Sequence, residues 1–137
     1  MTTFNTEFDV YFEDISPSGI VHLEKLAEWM SMGRERFFRK TCPDHLKFVE
    51  NDVSMFTVQM SISVIGSSGW ADKVEAIISM TKIKKISFEI HFDFLNRRTK
   101  KIIAQGIQKV AFVKEESESF AKIPEDIDKA IKRHAKV

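Results

Sequence analysis

Arg34 is the residue whose type and position most directly suggest chemistry. In a helix that begins at Leu23, at about 100° per residue, Arg34 points within about 20° of Leu23. Met30 and Phe37 share that direction, so Arg34 lies on an apolar stripe. A guanidinium there needs a carboxylate, a carbonyl or an anionic ligand as its partner. Two interpretations stay open: an active-site cation, or an arginine that snorkels or pairs with a structural acid at positions 13–14.

The loop before this helix is the second candidate. Residues 15–19 read Ile-Ser-Pro-Ser-Gly and connect an alternating segment to the helix. Such a junction places backbone N–H groups and one loop side chain at the positive end of the helix. We therefore expect chemistry at this junction, with Ser16 as the side chain in question.

Two other pairs of reactive residues carry weaker signals. Cys42 and His45 lie three residues apart but lack a third group to orient them, so we interpret them as structural. His91 and Asp93 share one side of a predicted strand, but two ligands do not close a metal site. We predict no metal and no other cofactor.

The elements that must position these residues follow an α+β pattern. A helical period predicts one long helix from Leu23 to about Thr41, because Pro43 disfavours helical geometry in the residue before it. A short helix is predicted to begin at Pro124, and a bend or bulge is expected near Gly106. Alternating apolar and polar residues predict five strands, in residues 4–13, 56–64, 73–82, 86–94 and 101–114.

The second of these strands has the clearest alternation. Uninterrupted, it places every even-numbered residue on one apolar face: Phe56, Val58, Met60, Ile62 and Val64. The predicted sheet must bury this face against the long helix. Its edge strands invite pairing with another copy, so we expect a homo-oligomer, either a dimer or a dimer of dimers.

Length and composition limit the remaining classes. We expect one domain over residues 1–137, and a net charge of +1 argues against a nucleic-acid partner. No stretch approaches the ~18 apolar residues of a membrane span, so we expect no membrane partner. The first residues lack the pattern of a signal peptide and there is one cysteine, so a cytoplasmic location is expected.

With its long helix and run of strands, the segment from Tyr11 to His22 resembles hotdog-fold thioesterases of the 4-hydroxybenzoyl-CoA thioesterase type. It is most similar to the branch found in enediyne polyketide pathways. The resemblance implies a hotdog fold, in which a curled antiparallel sheet of about five strands wraps around one long central helix. The residues in register with that branch are Gly19, Val21, Trp29, Arg34, Glu35 and Phe37.

The resemblance also implies an activity: hydrolysis of an acyl-CoA or acyl-carrier-protein thioester of a polyketide- or fatty-acid-type chain. Most such enzymes have an aspartate, and the enediyne branch an asparagine, where this chain has Ser16. We therefore expect catalysis without a carboxylate base, in which Ser16 orients the attacking water. Backbone N–H groups near Val21 to Leu23 and the cation of Arg34 would stabilise the oxyanion.

The remaining predicted site residues bind substrate. Phe37 and Phe56 are expected to line an acyl channel. One alternative is a catalytically weak acyl-binding hotdog protein, which the missing loop acid favours. A second is a hotdog dehydratase, which would need a helix-proximal histidine with an acid partner that the sequence does not offer. The full set of predicted substrate-binding residues is Gly19, Val21, His22, Leu23, Phe37 and Phe56.

Overall fold

A computed structural model describes residues 2–44 and 53–136, so His45 lies outside the described residues. The α+β class is confirmed, and both helices begin within a residue of the predicted positions. Neither helix in these ranges is long and apolar enough to cross a membrane. The elements are β1 (Phe4–Asp9), α1 (Leu23–Thr41), β2 (Val53–Val64), β3 (Lys73–Thr81), β4 (Ser87–Asn96), β5 (Lys101–Lys114), β6 (Ser119–Phe120) and α2 (Glu125–Arg133).

The strands form one antiparallel sheet in the order β1-β3-β4-β5-β2. The two-residue β6, which the sequence pattern does not indicate, pairs with the end of β5 and makes a sixth strand. The face of the sheet that α1 covers is called the inner face below. Strand β2 has 12 residues and forms one edge of the sheet, so its outer backbone groups are open to another strand.

Helix α1 lies close against the inner face because small residues stand at the contact. At Gly106 an added Cβ would lie 2.7 Å from the sulfur of Met30, so a larger residue would require the thioether end of that side chain to move. Pairing with both neighbouring strands runs through Gly106 in continuous register, and the pairing of β4 with β5 shifts instead at Ile103, three residues before it. The buried residues of α1 are Leu26, Trp29, Met30, Gly33, Phe37 and Phe38.

The first strand ends earlier than the alternation predicts. It stops at Asp9, and Phe12–Asp14 form a short 3-10 turn. The carboxylate of Asp14 causes this turn, because its Oδ2 accepts a hydrogen bond of 2.9 Å from the Tyr11 N–H. The turn brings the chain round to the start of α1.

A β-bulge at Val58 interrupts the predicted alternation of β2. Thr57 pairs with Val110 and Gln59 with Lys109, so Val58 is the extra residue. A bulge reverses the sides of the residues that precede it. The expectation of one continuous apolar face is therefore wrong: Thr57 lies on the inner face, and Phe56 lies on the outer face.

Candidate functional site

The loop before α1 is held by a dense set of short hydrogen bonds. The Ser16 N–H donates to the Ile20 carbonyl at 2.8 Å, and the Gly19 N–H donates to the Ser16 carbonyl at 2.9 Å. Gly19 has a φ of +85°, and an added Cβ would lie 2.8 Å from the Ser68 carbonyl oxygen. Because the Ser68 N–H also donates to Gly19 at 2.7 Å, the loop is fixed to the segment that follows β2.

The Ser16 hydroxyl takes part in this loop structure. Its Oγ accepts a hydrogen bond of 3.1 Å from the Ile20 N–H and lies 3.1 Å from the Ser18 hydroxyl. Within residues 2–44 and 53–136, no histidine and no carboxylate hydrogen-bonds to Ser16. Among the described residues, Ser16 therefore has no base that could activate it as a nucleophile.

Helix α1 begins directly after this loop. The His22 N–H is already engaged, because it donates to the Asp14 carbonyl at 3.0 Å. The next two N–H groups, of Leu23 and Glu24, belong to the first turn of α1, where a helix offers no internal acceptor. Val21 is 2% exposed, whereas Leu23 is 51% exposed. Within the predicted span from Val21 to Leu23, the His22 N–H is thus engaged, and the Leu23 N–H is available together with that of Glu24.

The Arg34 side chain extends from α1 towards the inner face of the sheet, where it contacts β2 and β5. Its Nη1 donates to the Thr57 hydroxyl at 3.0 Å and to the Gln108 side-chain oxygen at 3.2 Å. Burial lowers the pKa of Arg34, and the charge of the neighbouring Glu35 opposes this shift. Asp14 pairs instead with Lys25 at 3.4 Å. Among the residues described, Arg34 is a half-buried cation whose hydrogen-bond partners are all neutral.

The sequence patterns missed both partners of Arg34. Gln108 is fully buried, at 0% exposure, and shares the inner face with Gly106 and Val110. A glutamine within an apolar stripe of β5 is the same kind of anomaly as an arginine in the stripe of α1. The sequence therefore contained a signal that could have identified Gln108. Thr57 gave no such signal, because only the bulge places it on the inner face.

The two predicted channel residues do not share one surface. Phe37 is 0% exposed and packs edge-on against Phe4 and Phe38, at ring-centroid distances of 5.6 and 5.0 Å. Phe56 pairs with Ala111 on the outer face. The structure therefore brings the loop and helix-start residues together, and it separates them from both phenylalanines.

The helix start and Arg34 are also far apart within one chain. Arg34 lies eleven positions after Leu23 in α1, which corresponds to about 16 Å along the helix axis. The Arg34 side chain extends sideways to Thr57 rather than along α1. One carbonyl oxygen cannot contact both groups of a single chain.

The other candidate reactive side chains, Cys42, His91 and Asp93, lie in surroundings that favour a structural role. Burial, with the nearby Asp126 carboxylate, raises the pKa of the Cys42 thiol to about 11. Its Sγ donates to Asp126 at 3.5 Å, so it is a protonated thiol rather than a nucleophile. His91 Nδ1 lies 4.0 Å from Asp93. Over the described ranges, no group of three metal-ligating side chains comes together.

Comparison with known protein families shows which family the chain belongs to. The sequence profile of the Thioesterase-like superfamily matches residues 10–131. The chain belongs to this superfamily. It is accordingly an acyl thioesterase, a thioester hydrolase. A search of curated protein sequences finds no match.

Solved structures of thioesterases share the fold. The dynemicin thioesterase superposes with a TM-score of 0.90 at 19% identity, over 99% of each chain. The 1,4-dihydroxy-2-naphthoyl-CoA thioesterase of Synechocystis gives 0.83 at 16% identity, over 95% of this chain and 96% of that one. A gentisyl-coenzyme A thioesterase gives 0.76 at 20% identity, over 94% and 99%. The fold is therefore the hotdog fold predicted from the sequence.

Proposed function

We propose that this thioesterase hydrolyses an acyl-CoA or acyl-carrier-protein thioester, with Arg34 stabilising the oxyanion. The observation that carries the proposal is the half-buried guanidinium of Arg34, whose hydrogen-bond partners in the described chain are neutral. A partly buried cation that forms no ion pair lowers the stability of a fold, and it is suited to a negatively charged ligand or transition state. The tetrahedral intermediate of thioester hydrolysis supplies that charge.

The reaction consists of one addition and one elimination. A water oxygen bonds to the thioester carbon, and the carbonyl oxygen becomes an oxyanion. The N–H groups of Leu23 and Glu24 and the guanidinium of Arg34 hold this oxyanion. The C–S bond then breaks, and the proton lost by the water passes to the departing thiolate.

Ser16 orients the attacking water and does not deprotonate it. A general base commonly contributes about 10² to 10⁴ in rate, so we expect slow turnover. The serine hydroxyl already accepts a hydrogen bond from Ile20 and forms a second one with the Ser18 hydroxyl, which leaves either its proton or one lone pair for a water.

The site takes groups from two copies of the chain. Helix α1 runs antiparallel to β2: Gly19, just before α1, contacts Ser68 after β2, whereas Arg34 contacts Thr57 in the first half of β2. A second copy that pairs with the edge of β2 about a two-fold axis would bring its own loop and α1 start towards the half of α1 that carries Arg34. Both groups, about 16 Å apart in one chain, could then act on one carbonyl.

The carrier is proposed from the fold relatives. A Staphylococcus aureus protein of this fold was solved in complex with CoA, and it superposes over 99% of this chain at 13% identity. The dynemicin thioesterase binds a polyene. We accordingly expect a CoA or carrier-protein thioester of a polyketide- or fatty-acid-type chain, with no nucleic acid and no membrane as partner.

The test is hydrolysis of a panel of acyl-CoA and acyl-carrier-protein thioesters by the wild type and Arg34→Met. We expect turnover by the wild type and a loss of kcat of about 10²-fold or more in the variant. Binding of the thioesters without any turnover would instead support the acyl-binding alternative. Unchanged kcat in Arg34→Met would remove this residue from the mechanism.

A further inference from the structure

The side-chain amide of Gln108 is only half satisfied: its oxygen accepts a hydrogen bond and its nitrogen has no partner among the described residues. Its oxygen accepts from Arg34 at 3.2 Å, and its side-chain Nε2 has no hydrogen-bond partner in the described chain although the residue is 0% exposed. Rotating the amide by 180° would point its NH2 group at the guanidinium, so Arg34 fixes the orientation and leaves the NH2 unpaired. An unpaired buried donor destabilises a protein.

A carboxylate at this position would avoid that penalty. Glutamate has nearly the same shape as glutamine, both of its oxygens are acceptors, and it would pair with Arg34 as an ion pair. The amide gives up both advantages and differs in one respect that concerns Arg34. It accepts the hydrogen bond without cancelling the positive charge.

We propose that Gln108 is a positioning residue that holds the Arg34 guanidinium in place while leaving its charge free for the oxyanion. The Thr57 hydroxyl, at 3.0 Å from the same nitrogen, is a second neutral acceptor of the same kind. The inference rests on the proposed role of Arg34 in thioester hydrolysis. It adds that the neutrality of the partners, and not only their hydrogen bonds, is required.

Gln108→Glu separates the two properties, because it keeps the acceptor and adds the charge. We expect kcat to fall by about 10-fold or more with KM changed less than about threefold, since the loss concerns the transition state. The thermal midpoint should equal or exceed that of the wild type, because the variant pairs the cation and removes the unpaired donor. A residue that only stabilised the fold would not lose activity while the fold became more stable.

Two further variants complete the design. Gln59→Glu makes the same substitution at an exposed position on the outer face of β2, opposite Lys109, and should keep wild-type kcat. Gln108→Met removes the acceptor as well and should lower kcat because Arg34 loses its hold. The relative activity of Gln108→Glu should rise as the pH falls and the introduced carboxyl is protonated. Wild-type kcat in a folded Gln108→Glu enzyme would overturn the proposal.

A binding measurement distinguishes this inference from the proposed function. Octanoate carries the negative charge that Arg34 is proposed to meet, and octanol lacks it. Calorimetry should show that Gln108→Glu weakens octanoate binding by about 10-fold or more and leaves octanol binding unchanged. This result can be obtained even if no thioester is hydrolysed. Equal octanoate affinity in the wild type and Gln108→Glu would contradict the inference whatever the activity.

Discussion

Replacing Leu23 with proline tests the start of α1 as an oxyanion site. Leu23 is the first residue of α1, where the fixed φ of proline suits a helix and the missing N–H has no internal acceptor. The preceding His22 has a ψ of 142°, the extended conformation that a following proline requires. The substitution therefore deletes one backbone donor and leaves the helix in place.

The expected effect follows from the position of this donor. Loss of one oxyanion-hole N–H should lower kcat by about 10² to 10³-fold. Because the Leu23 side chain is 51% exposed, the free energy of unfolding should change by less than about 1 kcal/mol. Leu23→Ala removes the same side chain but keeps the N–H, so its kcat should stay within about threefold of the wild type. Steady-state kinetics and urea denaturation measure both quantities.

A mixture of two inactive variants tests whether the site is shared between chains. If Leu23 comes from one copy and Arg34 from the other, a dimer of Leu23→Pro and Arg34→Met subunits contains one intact site. Random exchange should then restore about a quarter of the wild-type activity. A mixture that stays inactive, although native mass spectrometry shows mixed dimers, would refute the shared site. Unchanged kcat in Leu23→Pro would refute the role of α1.

Three further outcomes follow from local geometry. Gly19→Ala should lower the free energy of unfolding by about 1–3 kcal/mol in urea denaturation, because its left-handed φ and the Ser68 carbonyl exclude a Cβ; wild-type stability would contradict this reason. Cys42, with a pKa of about 11, should react with iodoacetamide at pH 8 about 100-fold more slowly in the native than in the unfolded protein. Mass spectrometry of the alkylated protein measures both rates, and equal rates would contradict this expectation. Hydrogen bonds from Arg98 hold the pKa of Asp72 well below its usual range. Asp72→Asn should therefore have a lower free energy of unfolding than the wild type above about pH 4, and the difference should narrow at lower pH. A difference that does not change with pH would contradict a stabilising role for the ionised carboxylate.

The sequence predicted α1 closely, because several local signals agree there. The apolar stripe sets its face, His22 precedes its first turn, and Pro43 prevents its continuation past Cys42. The strands were predicted almost as well, since one buried face imposes a strict alternation. The first strand ends early, at Asp9, and the turn that follows is held by a hydrogen bond from the Tyr11 N–H to the Asp14 carboxylate, which no periodicity reveals.

The candidate site was only partly predictable. The anomaly of a cation in an apolar stripe identified Arg34, and the structure supplies its neutral partners. The bulge at Val58 carries no glycine or proline to mark it, so the faces of Thr57 and Phe56 were assigned the wrong way round. That Ser16 serves its own loop depends on the local backbone conformation of residues 16–20, which residue types alone do not encode. The oligomer and the single domain stay predictions.

The close approach at Gly106 also concerns the turn of α1 that precedes Arg34. Met30 fills the space that a side chain at position 106 would occupy, and Arg34 follows Met30 by four residues, one turn along the same face of α1. An enlargement at Gly106 would displace the thioether end of Met30. The volumes at positions 30 and 106 are therefore linked: a larger residue at one position is accommodated best by a smaller residue at the other. A residue with no side chain and no chemistry of its own thus provides the space in which the helix turn before the cation packs.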